Sequence, residues 1–146
     1  MNPTQQPPNA NYIGYSNITQ LSSNYAIAWG TYNNLLSTTL STPGGYEFDA
    51  QMAYSFQTAY QNDNVCNFGI SLSSATPDLN CFYVQYVAGK SVLINSYYTG
   101  VQNLTHKRIL YISRSTTVYL ICYFSGGWNN LATANVYTDL RHTRIA

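Results

Sequence analysis

The sequence predicts an all-β chain folded as a two-sheet sandwich or barrel, and three observations carry that prediction. Only 8% of the 146 residues are charged, while Asn, Gln, Ser and Thr together number 53 and Tyr alone numbers 15. Strong helix formers such as Glu and Lys are scarce, which argues against a helical bundle. Residues 46–57 alternate strictly between apolar and polar positions, and no segment shows a period of 3.6. Turn-forming clusters recur every 10 to 15 residues along the chain, a spacing that fits short antiparallel strands.

Residues 1–20 hold Pro3, Pro7 and Pro8 among Asn and Gln and carry no charged side chain. Such a segment buries little apolar surface by itself, so an extended N-terminal arm is expected there. Within it Tyr12, Ile13 and Tyr15 are the side chains able to dock on a neighbour. Residues 21–146 are read as one domain. Its first strand is expected at 23–32, with Ile27 and Trp29 on one face. Pro43-Gly44-Gly45 makes a tight turn, since Pro presets φ and Gly accepts a positive φ. Beyond it Tyr46, Phe48, Ala50, Met52, Tyr54 and Phe56 face one way, and Glu47, Asp49, Gln51, Ser55 and Gln57 the other. Further strands are expected at 64–73, 81–89, 91–100, 105–113 and 116–124. The last of these is apolar on both faces and should be central or pressed against a partner. A final strand follows in ATANVYTDL and runs into RHTRIA.

Composition also excludes several classes. Low charge with many aromatic residues argues against disorder, and no apolar run approaches the roughly 18 residues of a membrane-spanning helix. A net charge of +1 does not suit a protein that coats nucleic acid. The charges are nonetheless divided. Residues 1–89 carry Glu47, Asp49, Asp63 and Asp78 with no Lys or Arg, whereas residues 90–146 carry all six basic residues and Asp139. Cys66, Cys81 and Cys122 form no CxxC pair. They read as buried free thiols, with a single disulfide between two of them as the alternative. The opening residues lack the basic and apolar regions of a secretory signal.

PGGYEF (Pro43 to Phe48) continuing into AQMAYSF, and RILYISRSTTVYLICYF with Val118-Tyr119-Leu120 at its centre, carry a family resemblance. Over about residues 23–146 the chain resembles the tumour necrosis factor and complement globular-head superfamily, although Thr116-Thr117 stands where that family has Gly-Asp. The ending Thr143-Arg144-Ile145-Ala146 is similar to the C-termini of short jelly-roll proteins of viruses and phages. The resemblance implies a two-sheet antiparallel jelly-roll sandwich that assembles as a three-fold homotrimer. It further implies that 25–29, 46–56, 108–112 and 136–144 share the sheet facing the trimer axis. Tyr46, Phe48, Tyr111 and Tyr137 then become candidates for intersubunit contact, where Tyr is favoured for its apolar ring and polar tip. The alternative is that these rings form the subunit's own core. Glu47 and Asp49 would meet Arg108, Arg141 or Arg144 within one sheet or across subunits.

Catalytic constellations are sparse. No G-x-S-x-G elbow and no phosphate-binding glycine loop occurs. Asp139 and His142 are three apart, which on a strand places them on opposite faces. Glu47 and Asp49 could suit a glycosidase pair or a calcium site, but such neighbours also form a solvated or ion-paired face. His106 and His142 lack metal-ligand spacing. His106-Lys107-Arg108 with Arg114 is the basic cluster that nucleic acid would need, and it is thin for that purpose. Trp128, set among glycines and amides, and Tyr97-Tyr98 are the candidates for a sugar or receptor. The sequence therefore points to a non-enzymatic structural protein of a virus or phage particle, a minor capsid, vertex or fibre-type component. No cofactor, metal, nucleic acid or membrane is expected; the expected partners are other virion proteins. The alternative is a receptor- or glycan-binding head.

Overall fold

The computed structural model describes residues 9–58, 65–78, 84–87, 92–94, 97–125 and 131–146. Its organising element is β4 (Gly44–Thr58), the segment whose apolar–polar alternation is interrupted only at Ala53. β8 (Tyr97–Ile112) runs antiparallel beside all of it, from Gly44 opposite Ile112 to Thr58 opposite Tyr98. The other edge of β4 is shared. Tyr46–Gln51 pairs with β11 (Asp139–Arg144), and Tyr54–Gln57 pairs with β10 (Leu131–Ala134). β1 (Ser16–Gln20) adds to β11, β2 (Tyr25–Ile27) to β10, and β7 (Val92–Ile94) to β8. These seven strands make the first sheet.

The second sheet has the order β3–β9–β5–β6, where β3 is Tyr32–Leu40, β5 Val65–Ser71, β6 Val84–Val87 and β9 Thr116–Ser125. If β1 with β2 and β10 with β11 each count as one broken strand, and β7 is set aside as an addition, eight principal strands remain. Their pairs are nested: first with last, second with seventh, third with sixth, fourth with fifth. Folding such a ribbon over itself gives two sheets of a jelly roll. All pairs are antiparallel, and among the described residues there is no helix, hence none long and apolar enough to cross a membrane.

Between the sheets lies one apolar core. β4 supplies Tyr46, Phe48, Ala50, Met52, Tyr54 and Phe56, all buried. They meet Cys66, Phe68 and Ile70 of β5 and Val118, Leu120, Cys122 and Phe124 of β9. The Tyr54 and Phe124 rings cross edge to face at 5.0 Å, and Trp29 closes on Phe124 at 5.5 Å. The Tyr46 hydroxyl is not orphaned by this burial, since it donates to the Thr42 carbonyl at 2.7 Å. At the entrance to β4, Gly44 has φ +151°, and a side chain there would run into the Ala146 carbonyl. Gly45 N–H donates to that same carbonyl at 3.0 Å, so the chain end is stitched to the start of β4.

The elements depart from the sequence expectation in five places. β3 is a full strand where no separate strand is expected, because Leu35 and Leu36 are consecutive buried residues and a register shift between Asn34 and Leu36 breaks the alternation. The expected 23–32 strand shrinks to β2, and Trp29 packs on the core from a turn. β8 is continuous from Tyr97 to Ile112 rather than broken near residue 100, since β4 offers a partner along its whole length. The expected final strand is instead two, divided by a turn in which Thr138 N–H donates to the Asn135 carbonyl. The arm also ends earlier than residue 20, because Ser16–Gln20 is edge strand β1.

The two faces of β4 should respond differently to truncation. Phe48→Ala, which empties a fully buried site, is expected to cost about 3–5 kcal/mol. Glu47→Ala, on the exposed face, should stay within about 0.5 kcal/mol. Denaturant unfolding of the two variants checks this.

Candidate functional site

The outer face of the first sheet is built from the alternate residues of four adjacent strands. Register places Ile18, Arg141, Asp49 and Lys107 in one row across β1, β11, β4 and β8. The next row is Ser16, Thr143, Glu47 and Ile109, and beyond it Gly45 lies beside Tyr111. An antiparallel sheet with one solvated face normally turns polar residues outward. Here Ile18, Val101, Ile109 and Tyr111 all point out and are exposed, Ile109 by 55% and Tyr111 by 76%. The Tyr111 ring lies over Gly45, close enough that a Cβ there would meet it at 2.8 Å. Tyr137, 69% exposed, borders the same face, and its carbonyl accepts from Gln51 Nε2 at 3.1 Å.

Charges of both signs run between these apolar side chains. Lys107 Nζ approaches Asp49 at 3.3 Å, an exposed pair of the kind that contributes about 0–1 kcal/mol. Arg141 stands opposite Asp49 in register. Asp139 accepts from Gln51 Nε2 at 2.7 Å. Burial raises the Asp139 pKa above the ordinary carboxylate value, outweighing the Gln51 hydrogen bond and the attraction of Arg141. Tyr15, Ser16, Asn17, Ile18 and Arg141 line an open groove of about 400 Å³ along the β1 edge. Ser16 and Thr143 hydroxyls join at 2.7 Å, and Asn17 Oδ1 accepts from Ile18 N–H.

Two of the four expected interface rings are corrected by this geometry. Tyr46 and Phe48 lie on the inner face of β4, buried in the core, and cannot reach another subunit; the face that alternates with them is the outer one. Tyr111 and Tyr137 remain outside. Ile109, Val101 and Ile18 belong to the same surface but escape a search for tyrosines. The alternation set by Tyr111 is the signal that locates Ile109 and Val101. Tyr12 and Ile13 of the arm are exposed and Tyr15 is half-buried. Tyr97 and Tyr98 are placed as part of β8, while Trp128 and Cys81 lie outside the described residues.

The basic cluster His106-Lys107-Arg108 does not form one surface, because a strand sends alternate residues to opposite faces. Lys107 points out; His106 and Arg108 point into the sandwich and are buried. Arg108 is therefore no partner for Glu47 or Asp49. Its guanidinium grips Asp78 with two bonds of 2.9 Å and donates to the Ile70 carbonyl at 2.6 Å. Asp78 also accepts from Leu72 N–H at 2.6 Å, and its own N–H donates to Ser71 Oγ. The fork thus ties β8 of the first sheet to the end of β5 and the loop after it in the second. Such planar, two-point recognition of a carboxylate is specific to Arg. Arg144 also turns from the acidic residues and donates to the carbonyls of Ala10, Asn11, Pro43 and Ala146.

The remaining chemistry-bearing groups are dispersed. Asp139 lies on the outer face and His142 on the inner, so they share no site. Cys66 and Cys122 are free, and burial pushes both thiols up, which leaves them poor nucleophiles. Among the described residues no three His, Cys, Asp or Glu side chains are grouped to hold a metal ion.

No protein-family model matches the chain, and no curated protein matches it in sequence. Solved structures that overlap with it include the VP2 subviral particle of infectious bursal disease virus, at TM-score 0.46 and 13% identity over 90% of this chain. The Gx strain of the same virus overlaps at TM-score 0.44 and 12% identity. The chain spans 37% and 38% of the length of those two proteins.

The intersheet fork yields a prediction. Arg108→Met leaves the Asp78 carboxylate without its buried partner and should destabilise the fold by about 2–4 kcal/mol. With Asp78→Asn in a double-mutant cycle, the coupling should be about 1–3 kcal/mol. Additive effects in denaturant unfolding would show that the fork does not hold the sheets together.

Proposed function

We propose that this chain is a non-enzymatic structural component of a virus or phage particle, of minor capsid, vertex or fibre type, which works by assembling as a jelly-roll trimer. The observation that carries the assembly half of the proposal is the outer face of the first sheet. Ile109 and Tyr111 stand side by side on the outer face of β8, with Ile18 three strands across and Val101 farther along β8, and large apolar side chains exposed on one sheet face suit a contact site. The interleaved Lys107, Asp49, Arg141 and Glu47 give such a contact register and partner choice. The face carries both signs of charge, so a second copy can meet it without bringing like charges together. What supports placement in a particle is the likeness of the C-terminal residues to short viral and phage jelly rolls, together with a composition short of charge and rich in Tyr. The exposed Tyr12 and Ile13 suit an arm that reaches a neighbouring protein.

Native mass spectrometry of the purified chain tests the assembly. A trimer is expected for the unaltered protein. Ile109→Asp with Tyr111→Arg should give monomers with a melting temperature changed by no more than about 3 °C, since both side chains are exposed. A strict monomer before substitution, or a trimer indifferent to these two changes, would overturn the proposed face.

A further inference from the structure

We propose that the N-terminal turn, residues 9–15, is a latch on one end of the sandwich that acid releases, with His142 as the group that responds. The turn is held by polar, peripheral bonds. Gly14 N–H donates to the Arg144 carbonyl at 2.7 Å, and Arg144 N–H donates to the Tyr15 carbonyl at 2.9 Å. The Arg144 guanidinium adds bonds to the carbonyls of Ala10 and Asn11. Tyr12 and Ile13 contribute little to the attachment, because both are exposed. Beneath the turn is a cavity of about 130 Å³, lined by Ala10, Tyr15 and Asn17 on the turn side and by Thr38, Tyr46 and His142 on the other.

His142 is 5% exposed, with its ring 5.9 Å from Tyr46 and 5.6 Å from Phe48. Among the described residues nothing hydrogen-bonds to its buried Nδ1. A neutral imidazole tolerates one bare nitrogen; an imidazolium has two N–H donors and a charge to satisfy. Among the described residues the carboxylate that reaches between the sheets, Asp78, is already held by Arg108, which shares the inner row with His142 across Phe48. On β11, Arg144 follows on the same face and Arg141 projects from the other. From β4 come the Tyr46 and Phe48 rings, with Glu47 and Asp49 on the opposite face. From β1 and the turn come Tyr15 and Asn17, and from β3 Thr38 and Leu40, none of them charged.

Burial accordingly holds the His142 pKa below the ordinary histidine value. Below about pH 6.5 the proton then favours any state in which the ring meets water. Opening the sandwich would expose the whole core, whereas lifting the turn exposes the cavity at the loss of a few rim hydrogen bonds. The turn is thus the element of lowest local stability beside the histidine.

Amide exchange, corrected for the intrinsic effect of pH, tests the latch on the full chain. Between about pH 7.5 and about pH 5.5, protection at Gly14 and Arg144 should fall several-fold, up to the limit of about tenfold that one histidine can supply, and by more than at Met52 in β4. His142→Gln should abolish the fall, and His106→Gln should leave it. Equal protection at both pH values overturns the proposal, as does a fall that survives His142→Gln or one matched at Met52. Ring titration by NMR keeps the test open should His142→Gln not fold. The Gly14 amide must then follow the midpoint of His142 in the unaltered protein, and following that of His106 contradicts the latch.

Discussion

Period-two alternation along β4 imposes a division that the rest of the molecule inherits. The strand pairs with β8 on one edge and with β11 and β10 on the other. Its register therefore decides which residues of three further strands look inward. A slip of one position would turn Phe48 and Met52 to solvent and Glu47 and Asp49 into the core. Six buried side chains from Tyr46 to Phe56 hold that register against the second sheet. Inward placement of Leu104, Leu110 and Leu140, and outward placement of Lys107, Ile109, Tyr111 and Arg141, follow from it.

The same constraint explains why a chain with so few charges buries one. Arg108 falls on the inner side of β8 because Lys107 and Ile109 fall on the outer side. An unpaired guanidinium in a sandwich core is costly. The loop after β5 relieves that cost by delivering Asp78 as a two-point acceptor, with the Ile70 carbonyl as a third. His106 sits two residues away, and both its burial and the Arg108 charge keep its pKa below the ordinary value. Arg108, Asp78 and Ser71 thus form one polar cluster between the sheets.

How far the sequence could be read depended on whether the signal was local. β4 was legible because its alternation from Tyr46 to Gln57 is interrupted only by Ala53, and β9 because it is apolar on both faces. β3 was not, since the bulge at Leu35 brings two buried leucines together and erases the period. His106-Lys107-Arg108 looks like one basic patch in a linear reading, and only strand geometry separates it. The partner of Arg108 lies 30 residues away in the loop that follows β5 of the other sheet, beyond any local pattern. The family resemblance grouped 46–56, 108–112 and 136–144 in one sheet, as the strand pairing has it, but the outward side of β4 was not legible. Alternation says that Tyr46 and Glu47 face apart without saying which faces the partner, and the apolar set is the one the core takes.

Tyrosine reactivity reads the role of the outer face without any substitution. Hydroxyl-radical footprinting of the unaltered protein over a range of concentrations should label Tyr111 and Tyr137 in dilute solution and progressively less as copies assemble. Tyr46, inside the core, should be protected throughout. Labelling of Tyr111 and Tyr137 that does not change with concentration would contradict assembly through this face.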